Sequence, residues 1–179
     1  PDEKLNDFNI DKDLLLDIQK SMSKLREEDW NDAENNIYPL KLLFDEPWLR
    51  YLTQYPKIWL DMPNTWERRK KQNNNDLPKT IDKENYPNYY LRNFHHQTDG
   101  YLSDFSASIY DLQVEILFNG TANPMRRRII KPLKTGLLNF NNRKRSSIKI
   151  LDVATGSGRT LKQLRGAFPK EKIIGLDLS

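Results

Sequence analysis

A glycine turn and a later aspartate are the residues of this chain whose types and spacing best fit cofactor binding. Gly156 and Gly158 follow an apolar run at residues 148–153, and Asp177 follows a second apolar run, nineteen residues after Gly158. Glycine lets a ligand approach the backbone at the start of a helix, where free N–H groups can bind it. An acid at the tip of the neighbouring strand can accept hydrogen bonds from ribose hydroxyls. The spacing therefore predicts a site for a nucleoside-containing cofactor.

The glycine pattern also indicates which cofactors do not fit. A dinucleotide fingerprint, G-x-G-x-x-G, requires a third glycine, but Leu161 occupies that position. A phosphate-binding G-x-x-x-x-G-K-[ST] loop is absent from the sequence as well. The turn is Asp152-Val-Ala-Thr-Gly-Ser-Gly158, in which an acid lies two residues before Ala154. A purely structural turn and a different nucleoside ligand are the alternatives to a cofactor site.

This turn resembles motif I of the class I S-adenosylmethionine (SAM)-dependent methyltransferases, whose usual pattern is acid-x-Gly-x-Gly-x-Gly. Ala154 replaces the first glycine, as it does in the ubiquinone/menaquinone-biosynthesis branch of that family. SAM has no pyrophosphate, so a third glycine for pyrophosphate approach can be dispensed with. The resemblance implies that Asp152 orders the loop, that the loop contacts the methionine portion and adenosine, and that Asp177 binds the ribose. The cofactor-binding residues implied are Asp152, Ala154, Thr155, Gly156, Ser157, Gly158 and Asp177.

Two upstream segments, residues 93–103 and 110–128, are similar to the N-terminal extension of a cyanobacterial and plastid group of these enzymes. The resemblance implies transfer of a methyl group from SAM to an acceptor. We expect a small-molecule or lipid-like acceptor rather than a nucleic acid. No catalytic residue is assigned, because the residues that select the acceptor would normally follow the second strand.

The expected fold class is α/β. A helical N-terminal region would precede the first βαβ part of a doubly wound, Rossmann-like sheet, which we expect to be incomplete in this chain. The predicted divisions are a helical region at residues 1–69, a linker at 70–85, a helical cap at 86–145 and the first part of the SAM-binding domain at 146–179. Edge strands and one apolar sheet face would then be exposed, and the enzyme would be the full-length protein rather than the fragment.

Hydrophobic periodicity predicts several helices before the sheet. Apolar residues recur on one face of residues 10–28, and four tryptophans are mixed with four prolines over residues 30–66, which favours several short helices. Residues 103–118 form a predicted helix with a serine N-cap. Asn123-Pro124 predicts a further helix start, and Pro132 should kink or split the helix that follows. The Trp and Tyr side chains are expected to fill a small core.

Within the predicted sheet, residues 148–153 read as a strand buried on both faces. Pro169 should end the helix that follows, and residues 172–178 are the predicted second strand. The inner stripe of that helix is predicted to be Leu161, Leu164 and Phe168.

Charge and composition leave a rival function open. Residues 121–147 carry eight Lys/Arg and no acid, whereas residues 1–60 carry thirteen Asp/Glu and eight Lys/Arg. The basic stretch suggests a helical module that binds anions or nucleic acid, and an inactive methyltransferase remnant is a second rival. We expect Arg126, Arg127 and Arg128 to be mostly solvated. His95 and His96 are expected to be turn residues rather than a general base or metal ligands.

The sequence contains no cysteine, so disulfides and thiolate metal sites are excluded. No apolar run approaches the length of a membrane span. These features favour an intracellular protein of the cytoplasm, or of the plastid stroma by the resemblance. The oligomeric state is not predicted.

Overall fold

The computed structural model describes residues 11–71, 77, 81–92, 102–138 and 148–178, and within them the chain is mostly helical with one two-stranded parallel sheet. This mixed content agrees with the predicted α/β class. The helices are α1 Lys12–Glu34, α2 Trp48–Lys71, α3 Asp104–Leu117, α4 Ala122–Arg127, α5 Ile130–Leu138 and α6 Arg159–Ala167, with 3₁₀ helices at Leu40–Phe44 and Lys83–Asn85. The strands are β1 Lys149–Val153 and β2 Lys172–Leu176.

The first predicted helix is present but longer, and it packs differently from its apolar pattern. The Asp11 carboxylate caps α1 by accepting the Asp13 N–H at 2.9 Å. The leucines early in α1 are exposed, whereas the buried residues of α1 lie near its C-terminal end. Those buried residues are Asp29, Asp32 and Ala33.

The prediction of several short helices over residues 30–66 is wrong for its second half. α2 is one helix of 24 residues that continues through Pro56 and Pro63. Each proline removes one helical N–H, but the two are seven residues apart and therefore lie on the same face, which is exposed. The opposite face keeps its regular contact with α3.

The expectation that the tryptophans fill a core is also wrong. All four tryptophan side chains are exposed, while Tyr38 and Tyr51 are buried. The Tyr38 hydroxyl donates to the Asp29 carboxylate at 2.6 Å, so its polar tip is satisfied inside the fold. Burial and the hydrogen bond to Asp29 raise the pKa of Tyr38 far above its ordinary value.

The helices between residues 102 and 138 largely follow the predicted signals. Ser103 Oγ accepts the Ser106 N–H at 3.2 Å and caps α3. α4 begins at Ala122, with Thr121 in the N-cap position instead of Asn123. The helical segment is interrupted between α4 and α5, just before Pro132, so the predicted split is confirmed. Pro132 lies in the first turn of α5, where a proline is tolerated.

The two strands pair in parallel with Ile150 beside Ile173 and Val153 beside Leu176. Of the strand residues only Ile150 is buried, so the prediction that the first strand is buried on both faces is wrong for this chain. The other face of the pair is apolar and exposed, as expected of a sheet with one face uncovered. That exposed face consists of Leu151, Val153, Ile174 and Leu176.

One hydrophobic core joins the helical region to the sheet. Ile150 of β1 and Leu164 of α6 pack in the same cluster as Leu42 of the first 3₁₀ helix and Ile130 of α5. Phe168, which follows α6, is buried there as well, and the helix ends just before Pro169 as predicted. The helices before the sheet therefore cover its inner face.

Basic residues between Arg126 and Lys131 pair with carboxylates of earlier helices. Arg127 forms an ion pair with Asp29 at 2.6 Å, with both side chains buried. Arg128 pairs with Glu28 at 3.0 Å and Lys131 with Asp32 at 2.7 Å. The expectation that Arg126 to Arg128 are mostly solvated is therefore wrong, because Arg126 pairs with Glu115 of α3, and the other two pair with carboxylates of α1.

Three predicted features lie partly or wholly outside the part of the chain that the structure describes. They are the predicted linker, at residues 72–76 and 78–80, the upstream segment with His95 and His96, at residues 93–101, and the basic loop at residues 141–145. Among the described helices, none is long and apolar enough to cross a membrane.

Replacing Gly175 with Ala is expected to lower the free energy of unfolding by about 1–2 kcal/mol. A Cβ at Gly175 would lie 2.5 Å from Leu161 Cδ1 and 3.0 Å from Thr155 Cγ2, so both side chains would have to move. Gly136→Ala in α5 is the control, because a Cβ there meets nothing within 4 Å and alanine favours the helix. Urea denaturation of both variants measures the difference, and a Gly175→Ala variant as stable as wild type would contradict the packing.

Candidate functional site

The predicted glycine turn connects β1 to α6 in a left-handed conformation. Ala154, Gly156 and Gly158 have φ angles of 62°, 55° and 77°, and Gly158 is the N-cap of α6. The N–H groups of Ala154 and Thr155 donate to the Leu176 carbonyl at 2.8 Å and 3.1 Å, which fixes the turn against the end of β2. Glycine adopts this conformation without strain, so two of the three positions suit it.

Asp177 meets this turn directly. Its Oδ2 accepts the Gly156 N–H at 2.6 Å, and its Oδ1 accepts the Leu178 N–H at 2.8 Å and the Tyr90 hydroxyl at 3.1 Å. The acid predicted to bind ribose therefore lies beside the glycine turn at the carboxyl ends of both strands. This edge is where ligands bind in open parallel sheets.

Asp152 holds the turn from within, as the resemblance implies for a loop-ordering acid. Its Oδ2 accepts the Thr155 hydroxyl at 2.8 Å. Asp152 belongs to β1 and Thr155 to the turn, so this bond fixes the start of the turn to the strand. The Thr155 side chain also lies beside Gly175, because a Cβ added to Gly175 would be 3.0 Å from Thr155 Cγ2. The turn therefore packs against β2.

Leu161 explains how the fold manages without a third glycine. In a dinucleotide-binding turn the third glycine allows helix and strand to pack closely. In this chain the helix carries the large Leu161 side chain, and the strand carries the glycine. A Cβ on Gly175 of β2 would lie 2.5 Å from Leu161 Cδ1, so the absence of that Cβ lets α6 and β2 pack closely. A Cβ added to Gly156, by contrast, meets nothing within 4 Å, so the turn faces open space where a ligand can lie.

The helical region contacts the turn through Ser157 and Arg159. The Ser157 hydroxyl donates to Asp111 Oδ1 of α3 at 2.7 Å. The Arg159 guanidinium is buried, donates to the Asp45 carbonyl at 2.6 Å and pairs with Glu46 at 3.0 Å. A cation at the first position of a helix opposes the helix dipole, and Glu46 compensates for it.

Asn123 links this network to α4. It is fully buried, its Nδ2 donates to the Glu46 carboxylate, and its Oδ1 accepts a hydrogen bond from Arg126 at 2.8 Å. Arg126 also pairs with Glu115 at 3.2 Å. Burial and the neighbouring Glu46 carboxylate raise the pKa of Glu115 above its ordinary value. The turn is thus anchored by buried charges of the preceding helices.

The sequence predictions missed these supporting residues for identifiable reasons. Asn123 was assigned to a helix cap, and Asp111 and Glu46 carry no local motif. Tyr90 stacks against Tyr86 with ring centroids 6.1 Å apart, and its hydroxyl bond to Asp177 has no sequence signal. Arg159 gives the one available signal, because a cation at a helix start calls for a carboxylate partner.

A separate cleft of about 620 Å³ opens among α1, α3, α4 and the start of α2. Trp30, Phe44 and Trp48 line its apolar part, and Tyr51 lines it with a buried hydroxyl that has no hydrogen-bond partner among the described residues. Burial and the nearby Glu46 charge raise the pKa of Tyr51 to about 12, so its hydroxyl stays protonated at neutral pH. The cleft is also lined by charged side chains, which are Arg26, Asp29, Glu46, Glu115 and Arg127.

Family models, curated proteins and solved structures contain no match to this chain. Within the described ranges, no group of three or more His, Asp or Glu side chains is arranged to hold a metal ion. The case for a function therefore depends on the geometry of the turn.

Proposed function

We propose that this protein is a SAM-dependent methyltransferase and that β1, α6 and β2 are the start of a Rossmann-like, doubly wound sheet. The observation that carries the proposal is the 2.6 Å bond between the Gly156 N–H and the Asp177 carboxylate. It brings a left-handed glycine turn and a strand-end acid to one point, which is the arrangement that a nucleoside requires.

The residues of the glycine turn and of the strand ends suit the methionine portion and the ribose of SAM. The open side of Gly156 leaves room for the cofactor next to the backbone, and Asp177 supplies a carboxylate for the ribose hydroxyls. Asp177 exchanges its bond to Tyr90 for a ribose hydroxyl when the cofactor binds. Asp152, Thr155 and Ser157 hold the turn in place through their bonds to one another and to α3.

Methyl transfer from SAM is an in-line displacement. The acceptor nucleophile forms a bond to the methyl carbon as the carbon–sulfur bond breaks, and S-adenosylhomocysteine leaves. Positioning of the two reactants supplies much of the rate in such a reaction. The residues of this chain hold the donor, and we assign none of them to the acceptor.

The nucleic-acid alternative is weakened by the ion pairs of the basic segment. Arg126, Arg127, Arg128 and Lys131 all face carboxylates of α1 or α3, which reduces the charge available to phosphates. Phosphate-driven binding would also weaken steeply with salt. An inactive remnant, the remaining alternative, would lack turnover.

Asp177→Ala is expected to weaken binding of SAM and of S-adenosylhomocysteine by the same amount, about 1.5–3 kcal/mol for a charge-assisted hydrogen bond. The ribose is unchanged by the reaction, so its carboxylate contributes uniform binding. Calorimetric titration of the full-length protein measures both affinities. Asp82→Ala is the control, because Asp82 is an exposed acid that caps the nearby 3₁₀ helix. A fall in turnover with unchanged affinity would contradict the ribose assignment.

A further inference from the structure

In an ordinary surface helix the apolar face is buried and the polar face is exposed, but in α2 the arrangement is reversed. The face toward α3 is largely polar, and the Gln54 amide on it donates to the Ser108 carbonyl. Its buried members are Tyr51, Gln54, Asp61 and Thr65. The solvent face holds seven large apolar side chains that are between 48% and 82% exposed. These residues, which we call the aromatic stripe, are Trp48, Leu49, Leu52, Tyr55, Trp59, Leu60 and Trp66.

The aromatic stripe follows one face of α2 from Trp48 to Trp66. At roughly 100° per residue its seven members fall within an arc of about 140°, and Pro56 and Pro63 lie in the same arc. Tyr55 and Trp59 contact each other one turn apart, with ring centroids separated by 6.2 Å. A contiguous exposed apolar surface of this kind is typical of a binding face rather than of a solvated one.

The charges of α2 are those of a helix that meets an anionic surface. α2 has six basic and two acidic residues. Of the two acids, Asp61 is buried and Glu67 is paired with Lys71 at 2.6 Å. Lys57 is exposed on the flank of the stripe, and Lys70 is exposed at its C-terminal end. The outward charge of the helix is therefore positive.

Tryptophan and tyrosine favour the interface between water and lipid, because their rings are apolar and their tips can form hydrogen bonds. Lysine and arginine beside such rings attract anionic headgroups. Pairing with a second copy of α2 would instead bring two positively charged helices together. The composition of the stripe and the charge of its flanks thus fit a lipid surface better than self-association.

We propose that α2 docks this protein on anionic lipid bilayers, with the aromatic stripe in the headgroup region and the helix axis parallel to the membrane. The helix lies on the bilayer and does not cross it, which agrees with the absence of a spanning helix among the described residues. This inference does not depend on the methyl-transfer proposal, since it uses no residue of the glycine turn.

The test is co-sedimentation of the protein with two kinds of vesicle, phosphatidylcholine alone and phosphatidylcholine mixed with phosphatidylglycerol. We expect binding to the anionic vesicles, with a blue shift of tryptophan fluorescence. Leu49→Gln/Leu60→Gln should weaken the partition coefficient at least about tenfold, because two exposed apolar side chains lose their lipid contact. The control is Leu14→Gln/Leu16→Gln, the same change at two exposed leucines of α1, which should bind as wild type does.

Charge is tested with Lys57→Gln/Lys70→Gln. Partition into the anionic vesicles should fall by about fivefold for each lysine removed, and partition into neutral vesicles should not change. Circular dichroism verifies that every variant keeps its helices. A monomeric protein that does not bind anionic vesicles, or a Leu49→Gln/Leu60→Gln variant that binds as wild type does, would overturn the proposal. A dimer that dissociates in the same variant would also overturn it and assign the stripe to a second copy.

Discussion

Replacing Arg127 with Met is expected to lower the free energy of unfolding by about 3–5 kcal/mol, the usual cost of removing one partner of a buried ion pair. The substitution leaves the Asp29 carboxylate buried without its cation. It also removes the Arg127 N–H that donates to the Leu42 carbonyl at 2.9 Å in the wild-type protein. Burial by itself lowers the pKa of Arg127, but the hydrogen bond and charge of Asp29 outweigh it and raise that pKa. Chemical denaturation followed by circular dichroism measures the change.

The matched control for Arg127→Met is Arg128→Met. Arg128 is the next residue and also pairs with α1, but its side chain is half exposed. An exposed ion pair contributes no more than about 1 kcal/mol, so this variant should be close to wild type. Asp29→Leu/Arg127→Met should recover part of the lost stability, because neither charge then remains buried alone. Equal losses in Arg127→Met and Arg128→Met would contradict the buried pair.

Gly156→Val is expected to reduce SAM affinity by at least about a hundredfold, or roughly 2.7 kcal/mol. The branched side chain would occupy the open space that we assign to the cofactor, and valine would disfavour the φ angle of 55° on which the turn depends. Calorimetric titration of SAM into the full-length variant measures the affinity, and circular dichroism verifies its fold.

Gly120→Val separates backbone strain from cofactor exclusion. Gly120 has a φ of 73° and, like Gly156, nothing within 4 Å of an added Cβ, but it follows α3 and lies outside the turn. We expect Gly120→Val and Gly156→Val each to lower the free energy of unfolding by about 1–2 kcal/mol, because both strain a positive φ angle. Only Gly120→Val should keep a SAM affinity close to that of wild type. Undiminished SAM affinity in a folded Gly156→Val variant would mean that the turn is structural.

Local signals in the sequence predicted much of the backbone. Ser103 predicts the start of α3, Pro132 marks the break before α5, and Pro169 marks the end of α6. Each of these effects acts over one turn of helix, so the neighbouring residues contain the information. The left-handed turn was predictable for the same reason, since Gly156 and Gly158 adopt positive φ angles that most residues with a Cβ disfavour.

Tertiary pairing was the part that local patterns did not reveal. The sequence predictions placed tryptophan inside and arginine outside, which is the average behaviour of those residues. In this chain Arg127 is buried because Asp29, ninety-eight residues earlier, compensates its charge. Trp59 and its neighbours are exposed because a largely polar face of α2 packs against α3. Both outcomes depend on contacts between distant segments.

The candidate site divides in the same way. Asp152, the glycine turn and Asp177 follow from spacing, because consecutive parallel strands place their carboxyl ends at one edge. Tyr90, Asp111 and Glu46 reach the turn from helices and loops that precede it by tens of residues. Nothing in their local sequence marks them as partners of the turn.

The central claim is that SAM binds at the glycine turn, and amide chemical shifts measured by NMR during a SAM titration test it most directly. With the full-length protein, we predict saturable shifts for the amides of Gly156, Ser157, Gly158 and Leu178, and S-adenosylhomocysteine should reproduce most of them. The Asp177 contacts make the Gly156 amide the most sensitive reporter, because the carboxylate that accepts its N–H at 2.6 Å would then also accept a ribose hydroxyl. Absence of any shift at millimolar SAM, or shifts confined to the cleft beside Trp30, would contradict the account.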